Sequence, residues 1–264
     1  MKVIQVNYHR EPKISQKLVY LLRGFRELGI TSVCSNQLGA EFLVRKKGTK
    51  GLTLVELIFE DSRTKFWFDL GASHISYPSV VKDGELYFKI QYHKSCNKHS
   101  FIRPIAESVA HVNWYYENLN VLRQEKLKEN YKYEVMGLFR KVSMSSRLHC
   151  VERVLKQKNW NSYVTVYDNK SLFLSNAGVK KLPYVEHLKL QVHSKICLSI
   201  ADKACRCFRD TEVLGFGGCL LVFGLSDDYP DFLHDKSCWI SIKKDFSDFV
   251  EKVNYYLQHD EERE

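Results

Sequence analysis

Two short apolar runs constrain this chain most: Ile196-Cys-Leu-Ser-Ile200 and Cys219-Leu-Leu-Val-Phe223. Each is continuously apolar and bounded by turn signals, the pattern of a strand buried on both faces. Between them the sequence predicts a helix, opened by Asp210 or Thr211 as N-cap and closed by Gly217-Gly218. A strand, a helix and a second buried strand make a parallel unit. In sheets of that kind ligands dock beyond the carboxyl ends of the strands.

Arg209 stands just before the expected cap and Glu212 in the first turn. A carboxylate there is favoured by the helix dipole, whereas an arginine opposes it and needs another reason, such as a bound anion. Exposed N–H groups together with Arg209 suit phosphate oxygens, and Glu212 suits two ribose hydroxyls. A surface ion pair at i, i+3 accounts for the same spacing equally well.

The stretch Arg209-Asp-Thr-Glu-Val-Leu-Gly-Phe-Gly-Gly-Cys-Leu-Leu-Val222, then Leu233-His-Asp-Lys236 and the tail Asp245 to Leu257, resembles the C-terminal half of GT-B glycosyltransferases. The flavour is that of the spore-maturation-like and exostosin-like group, with its R-x-x-E-x-L-x-x-G-G/C core. The resemblance spans about 195–260. It implies an α/β chain of two Rossmann-like domains facing a cleft. The N-terminal one, 1–128, is reduced and strand-rich and faces the acceptor; the C-terminal one, 129–264, binds a nucleotide sugar. Arg209, Glu212, Gly217 and Gly218 join the donor-binding set through this motif.

At 264 residues the chain is short for two such domains. It contains no window of eighteen apolar residues, and Met1-Lys-Val-Ile-Gln-Val-Asn7 reads as a first strand rather than a signal peptide. Eight cysteines are scattered without a C-x-x-C pair. Cys205-x-Cys207 beside His193 lacks a second ligand pair at zinc spacing, so no metal is expected. Scattered thiols and the absence of a leader imply a cytoplasmic protein. A net charge of +9 favours polyanionic partners, although runs such as Arg45-Lys-Lys47 and Lys180-Lys181 serve equally as solvated loops.

Val3–Asn7, a helix carrying Leu18, Leu21, Leu22, Phe25 and Leu28, and Ile30–Cys34 form a strand–helix–strand opening. It lacks the glycine-rich dinucleotide fingerprint, which disfavours a nicotinamide cofactor. Leu52–Phe59, Lys65–Asp69 and Leu86–Tyr92 follow as strands. Asp69 and His74, at and after a strand end, are candidate acid–base groups. His9 is a third, because in the resembled family the first loop meets the cleft. A connecting helical segment occupies 101–130, and the charged run Lys126–Lys132 holds the expected boundary.

The second half opens with strand Tyr133–Phe139, a helix from about Ser146 to Lys156, strand Ser162–Tyr167 and a short helix at Glu186–Leu190. The final helix carries Phe246, Phe249, Val250, Val253 and Leu257 on one stripe. By the resemblance Arg140, Lys141 and Arg147 hold the donor diphosphate. Fixed cations suit a leaving diphosphate where no metal does so; cations solvating a helix start read the same way.

The reading that follows is a metal-independent glycosyltransferase with no cofactor. Its substrates are a nucleotide diphosphate sugar and an acceptor hydroxyl on a glycan, a lipid-linked sugar or a modified DNA base. The alternative is a non-catalytic module of the same fold that binds a nucleotide or polyanion.

Overall fold

The computed structural model describes residues 2–8, 15–35, 52–69, 81, 85–89, 99–104, 109–140, 145–167, 172–177, 182–200, 207–223 and 239–264. These form an α/β protein of two units: Met1–Val112 with Asp228–Pro230, and Asn113–Asp227 with Asp231–Glu264. Each unit contains one Rossmann-like sheet of six strands, five running one way and one opposed.

In the first unit the strands are β1 (Val3–Tyr8), β2 (Thr31–Cys34), β3 (Leu52–Phe59), β4 (Arg63–Asp69), β5 (Leu86–Lys89) and β6 (Ile102–Pro104), with helix α1 (Ser15–Glu27). Their order is β2-β1-β3-β4-β5-β6, and β3 is the opposed strand. Leu18 of α1 packs on Val6, Val55 and Phe68, the periodic apolar face expected of that helix. The unit is strand-rich, as expected. The carboxyl ends of β1, β2, β4, β5 and β6 share one edge, which brings Asp69 there with its register partner Lys89.

The second unit takes α2 (Val112–Leu127) over most of its length, then β7 (Tyr133–Arg140), α3 (Ser145–Lys156), β8 (Ser162–Tyr167), β9 (Leu172–Ser175), α4 (Tyr184–Val192) and β10 (Ser194–Ile200). It ends with α5 (Phe208–Gly215), β11 (Cys219–Phe223), β12 (Ile240–Ile242), α6 (Phe249–Gln258) and α7 (Asp260–Arg263). The order is β12-β11-β10-β7-β8-β9. Every residue of β11 is buried, as is all of β10 except Lys195, which bears out the two apolar runs. Cys150, Val151 and Val154 of α3 and Phe249 and Val253 of α6 cover one face of this sheet. Burial of a Phe or Val side chain stabilises by about 1.5–3 kcal/mol each.

Three local expectations are corrected. The N-cap of α5 is Cys207, and Asp210 sits at the third helical position, its Oδ2 accepting from the Cys207 N–H at 3.1 Å. Phe246 precedes the last long helix rather than joining it, in a turn with φ of 61°. The segment 101–130 is not one helix but β6 followed by α2. The first unit runs to Val112, and α2 packs with the second unit.

That packing is close. The Tyr115 hydroxyl donates to the Glu212 carbonyl at 2.6 Å, and Arg123 Nε donates to the Gly215 carbonyl at 2.9 Å. A Cβ on Gly215 would lie 2.2 Å from the Tyr115 hydroxyl oxygen, and Tyr115 is almost wholly buried. Gly215→Ala is therefore expected to destabilise the protein by about 1–3 kcal/mol, read as a lower thermal midpoint. Tyr115→Phe, which removes the nearest atom, is expected to recover part of that loss in the double variant. Strict additivity would sink the argument.

Candidate functional site

The second sheet has its reversal of strand order between β7 and β10. From β7 the chain runs through β8 to β9 on one side, then crosses to β10 and continues to β11 and β12 on the other. Ligands of open α/β sheets bind at the carboxyl side of such a point.

There the sheet also parts. The β7–β10 ladder runs from Tyr133/Ser194 to Met136/Cys197 and no further. Meanwhile β7 stays paired with β8 to Arg140/Tyr167, and β10 stays paired with β11 to Ile200/Phe223. The carbonyls past the parting are taken by guanidinium groups. Arg209 of α5 donates from Nη1 to the Leu198 carbonyl at 3.2 Å and from Nη2 to the Leu138 carbonyl. Arg147 of α3 donates from Nη2 to the Ile200 carbonyl at 3.2 Å and from Nη1 to the Arg140 carbonyl. Two arginines, one from each face of the sheet, thus bridge the same two strands. The Arg209 guanidinium also lies over the Phe139 ring, 5.0 Å from its centre. Room for that ring comes from Gly137, where a Cβ would fall 2.7 Å from a Phe139 ring carbon.

These bonds supply the reason an arginine opens α5 against its dipole: strand carbonyls accept from it. Its Nε is buried without a hydrogen-bond partner among the described residues. Asp210 fixes the helix entrance, accepting from the Ser199 hydroxyl of β10 at 2.5 Å. The Cys207 thiol is pushed up to about 12 by burial and by Asp210, which keeps it protonated. No group of three potential metal ligands occurs among the described residues.

Glu212 lies one turn beyond Arg209 and is 2% exposed. Its Oε1 accepts from the Tyr184 hydroxyl at 2.9 Å. Tyr184 opens α4, and its ring meets Trp114 of α2 edge-on at 5.9 Å. Burial and the nearby Glu212 push the Tyr115 phenol up, so it stays protonated and donating. One turn along α4, burial and the Arg209 charge push His187 down to about 3, so its ring is neutral near physiological pH.

Arg147, Arg209 and the exposed Arg140 meet at the carboxyl edge of the second sheet, with Glu212 a turn further along α5. Gly217 and Gly218 do not join them. The Gly217 N–H donates to the Leu214 carbonyl at 3.1 Å and the Gly218 N–H to the Val213 carbonyl at 2.9 Å, with Gly217 at φ 81°. That is a Schellman cap, placed at the far end of α5 where the chain turns into β11. Asp69 belongs to the first unit, where its Oδ2 accepts from Lys89 Nζ at 2.8 Å and from the Tyr87 hydroxyl at 2.7 Å; all three residues are buried. His9, His74 and Lys141 lie outside the described residues.

Sequence reasoning missed Tyr184, His187 and Tyr115. Tyr184 and His187 stand at i, i+3 immediately after Pro183, a helix-start signal that marks a shared face.

The alternating strands and helices of the second unit, with this carboxyl-edge site, agree with a family. Residues 124–264 match the glycosyl transferase-like family, just over half of the chain. The chain belongs to the glycosyl transferase-like family. A comparison with curated proteins found no match. Membership assigns glycosyl transfer in general, with a sugar donor and an acceptor as substrates. No described helix of this glycosyl transferase-like chain is long and apolar enough to cross a membrane.

The lowered His187 value has a consequence for stability. As pH falls from 6.5 toward about 3, the unfolded chain takes up the proton before the folded one, so folded stability declines across that interval. His187→Gln is expected to flatten the fall in urea midpoint between neutrality and roughly pH 4.5 relative to the parent protein. Parallel slopes would exclude a His187 contribution.

Proposed function

We propose that this chain is a metal-independent glycosyltransferase of the GT-B type that moves a sugar from a nucleotide diphosphate sugar to an acceptor hydroxyl. The observation that carries this reading is the pair of arginines at the reversal of strand order, with Glu212 one turn along the same helix as Arg209.

Strand carbonyls engage the guanidinium groups of both arginines without neutralising their charge. Arg147 and Arg209, with Arg140 and Lys141 alongside, would face the two phosphates. Glu212 would accept from the ribose hydroxyls. In the reaction the acceptor oxygen attacks the anomeric carbon and the bond from that carbon to the diphosphate oxygen breaks. The departing nucleotide diphosphate keeps the electron pair, and the acceptor proton passes to a base. Fixed guanidinium charge at the parted strands would stabilise the leaving group, the task a divalent cation performs elsewhere.

The base is assigned to the first unit. Asp69 is buried and ion-paired, an arrangement suited to holding β4 against β5, so the acid–base role falls to His9 or His74. The net charge of +9 supports an anionic acceptor, whether a glycan, a lipid-linked sugar or DNA. A second reading, a binding module without turnover, is favoured by the burial of Asp69, a candidate acid–base group.

A thermal-shift panel of UDP-, GDP-, ADP- and CDP-linked sugars tests the proposal. One nucleotide family is expected to stabilise the parent protein, with the shift lost in Arg209→Ala and Glu212→Ala. An undiminished shift in both variants would refute the donor site. Stabilisation with neither transfer nor hydrolysis of any donor would select the binding module.

A further inference from the structure

The burial of Glu212 raises a steric question, given the reading of it as the ribose acid. A glutamate whose residue is only 2% exposed cannot accept from an incoming hydroxyl until a group lying on it moves. Tyr184 donates to this carboxylate, its hydroxyl 2.9 Å from Oε1. Tyr184 is also the more movable partner. It is half-buried at the first position of α4, whereas Glu212 lies inside α5 with its own carbonyl held by Tyr115 at 2.6 Å.

We propose that Tyr184 is a residue of the donor site whose phenol occupies, in the free protein, the place of a donor ribose hydroxyl on Glu212. Nucleotide binding exchanges one O–H···carboxylate bond for another. Both bonds have a charged acceptor, so the exchange keeps Oε1 partnered throughout. This inference rests on the donor-site reading of Glu212. Tyr184 leaves along the edge of Trp114, whose ring it touches at 5.9 Å, so the exchange carries its own optical reporter.

The experiment uses the full chain and the nucleoside diphosphates UDP, GDP, ADP and CDP. Affinity is measured by calorimetry, alongside tryptophan fluorescence. Tyr184→Phe keeps the ring and deletes the competing hydroxyl. It is expected to bind the preferred nucleotide roughly 3- to 10-fold more tightly, the worth of one net hydrogen bond. The 2′,3′-dideoxy analogue of that nucleotide is expected to show no gain. The parent protein is expected to change fluorescence on binding, and the change to vanish in Trp114→Phe with affinity retained. Equal or weaker binding by Tyr184→Phe, while Glu212→Gln loses binding, overturns the exchange and leaves the donor site standing. Undiminished binding by Glu212→Gln overturns both. Should Tyr184→Phe fail to fold, the parent and Trp114→Phe titrations decide alone: no Trp114 signal on binding overturns the exchange.

Discussion

The second unit depends on how two neighbouring parallel strands are held once they stop pairing. Past Met136 and Cys197 the carbonyls of β7 and β10 have lost each other's N–H groups. Buried main-chain carbonyls need donors. Two guanidinium groups provide them, one from the helix after each strand. Topology makes the opening, because the strand order reverses there, and arginine chemistry makes it tolerable. A lysine in either position would offer a point charge without the planar fork that reaches two strands together. The same side chains therefore hold the sheet and present cationic edges where a ligand would dock.

Glu212 follows the same logic with opposite sign. It sits on the helix that carries Arg209, buried under aromatic side chains from α2 and α4. Tyrosine suits this job because it brings a hydroxyl to a buried carboxylate on a rigid apolar body. The far end of α5 is fixed too, by Arg123 on the Gly215 carbonyl and by the Gly217-Gly218 cap. Both the start and the finish of the helix are thus tied down, and the acid between them has little freedom of its own.

What could be read from the residues follows from which forces are local. The strands β10 and β11 were legible because burial on both faces leaves a continuous apolar signature, and α3 and α4 were placed within a few residues. The start of α5 was misread because Asp210 does its capping from the third helical position, back onto a cysteine that sequence gives no reason to choose. Phe246 was assigned to a helix because its spacing fits the apolar stripe of α6; its ring does join that core, from a left-handed turn. Edge strand β9 left no signal, since half its residues are exposed. Among the candidates, Arg209 and Glu212 were legible from charge at a helix entrance and Arg147 through the family resemblance. Their partners were not, because strand carbonyls, the Tyr184 hydroxyl and the parting of the ladder are all tertiary facts. Gly217 and Gly218 were grouped with the donor residues through the motif, although their spacing equally describes a helix end.

Guanidinium groups do not give up their protons anywhere near neutrality. With His187 held uncharged by its surroundings, the cationic character of the parted strands is a fixed property of the molecule, one that acidity near neutrality does not tune. Dissolved electrolyte is the variable that reaches it. Small ions shield exposed charge over roughly 8–10 Å at ordinary ionic strength and shield half-buried charge less. Attraction of an anion from a distance would fade as salt rises, while the grip on one already seated would persist.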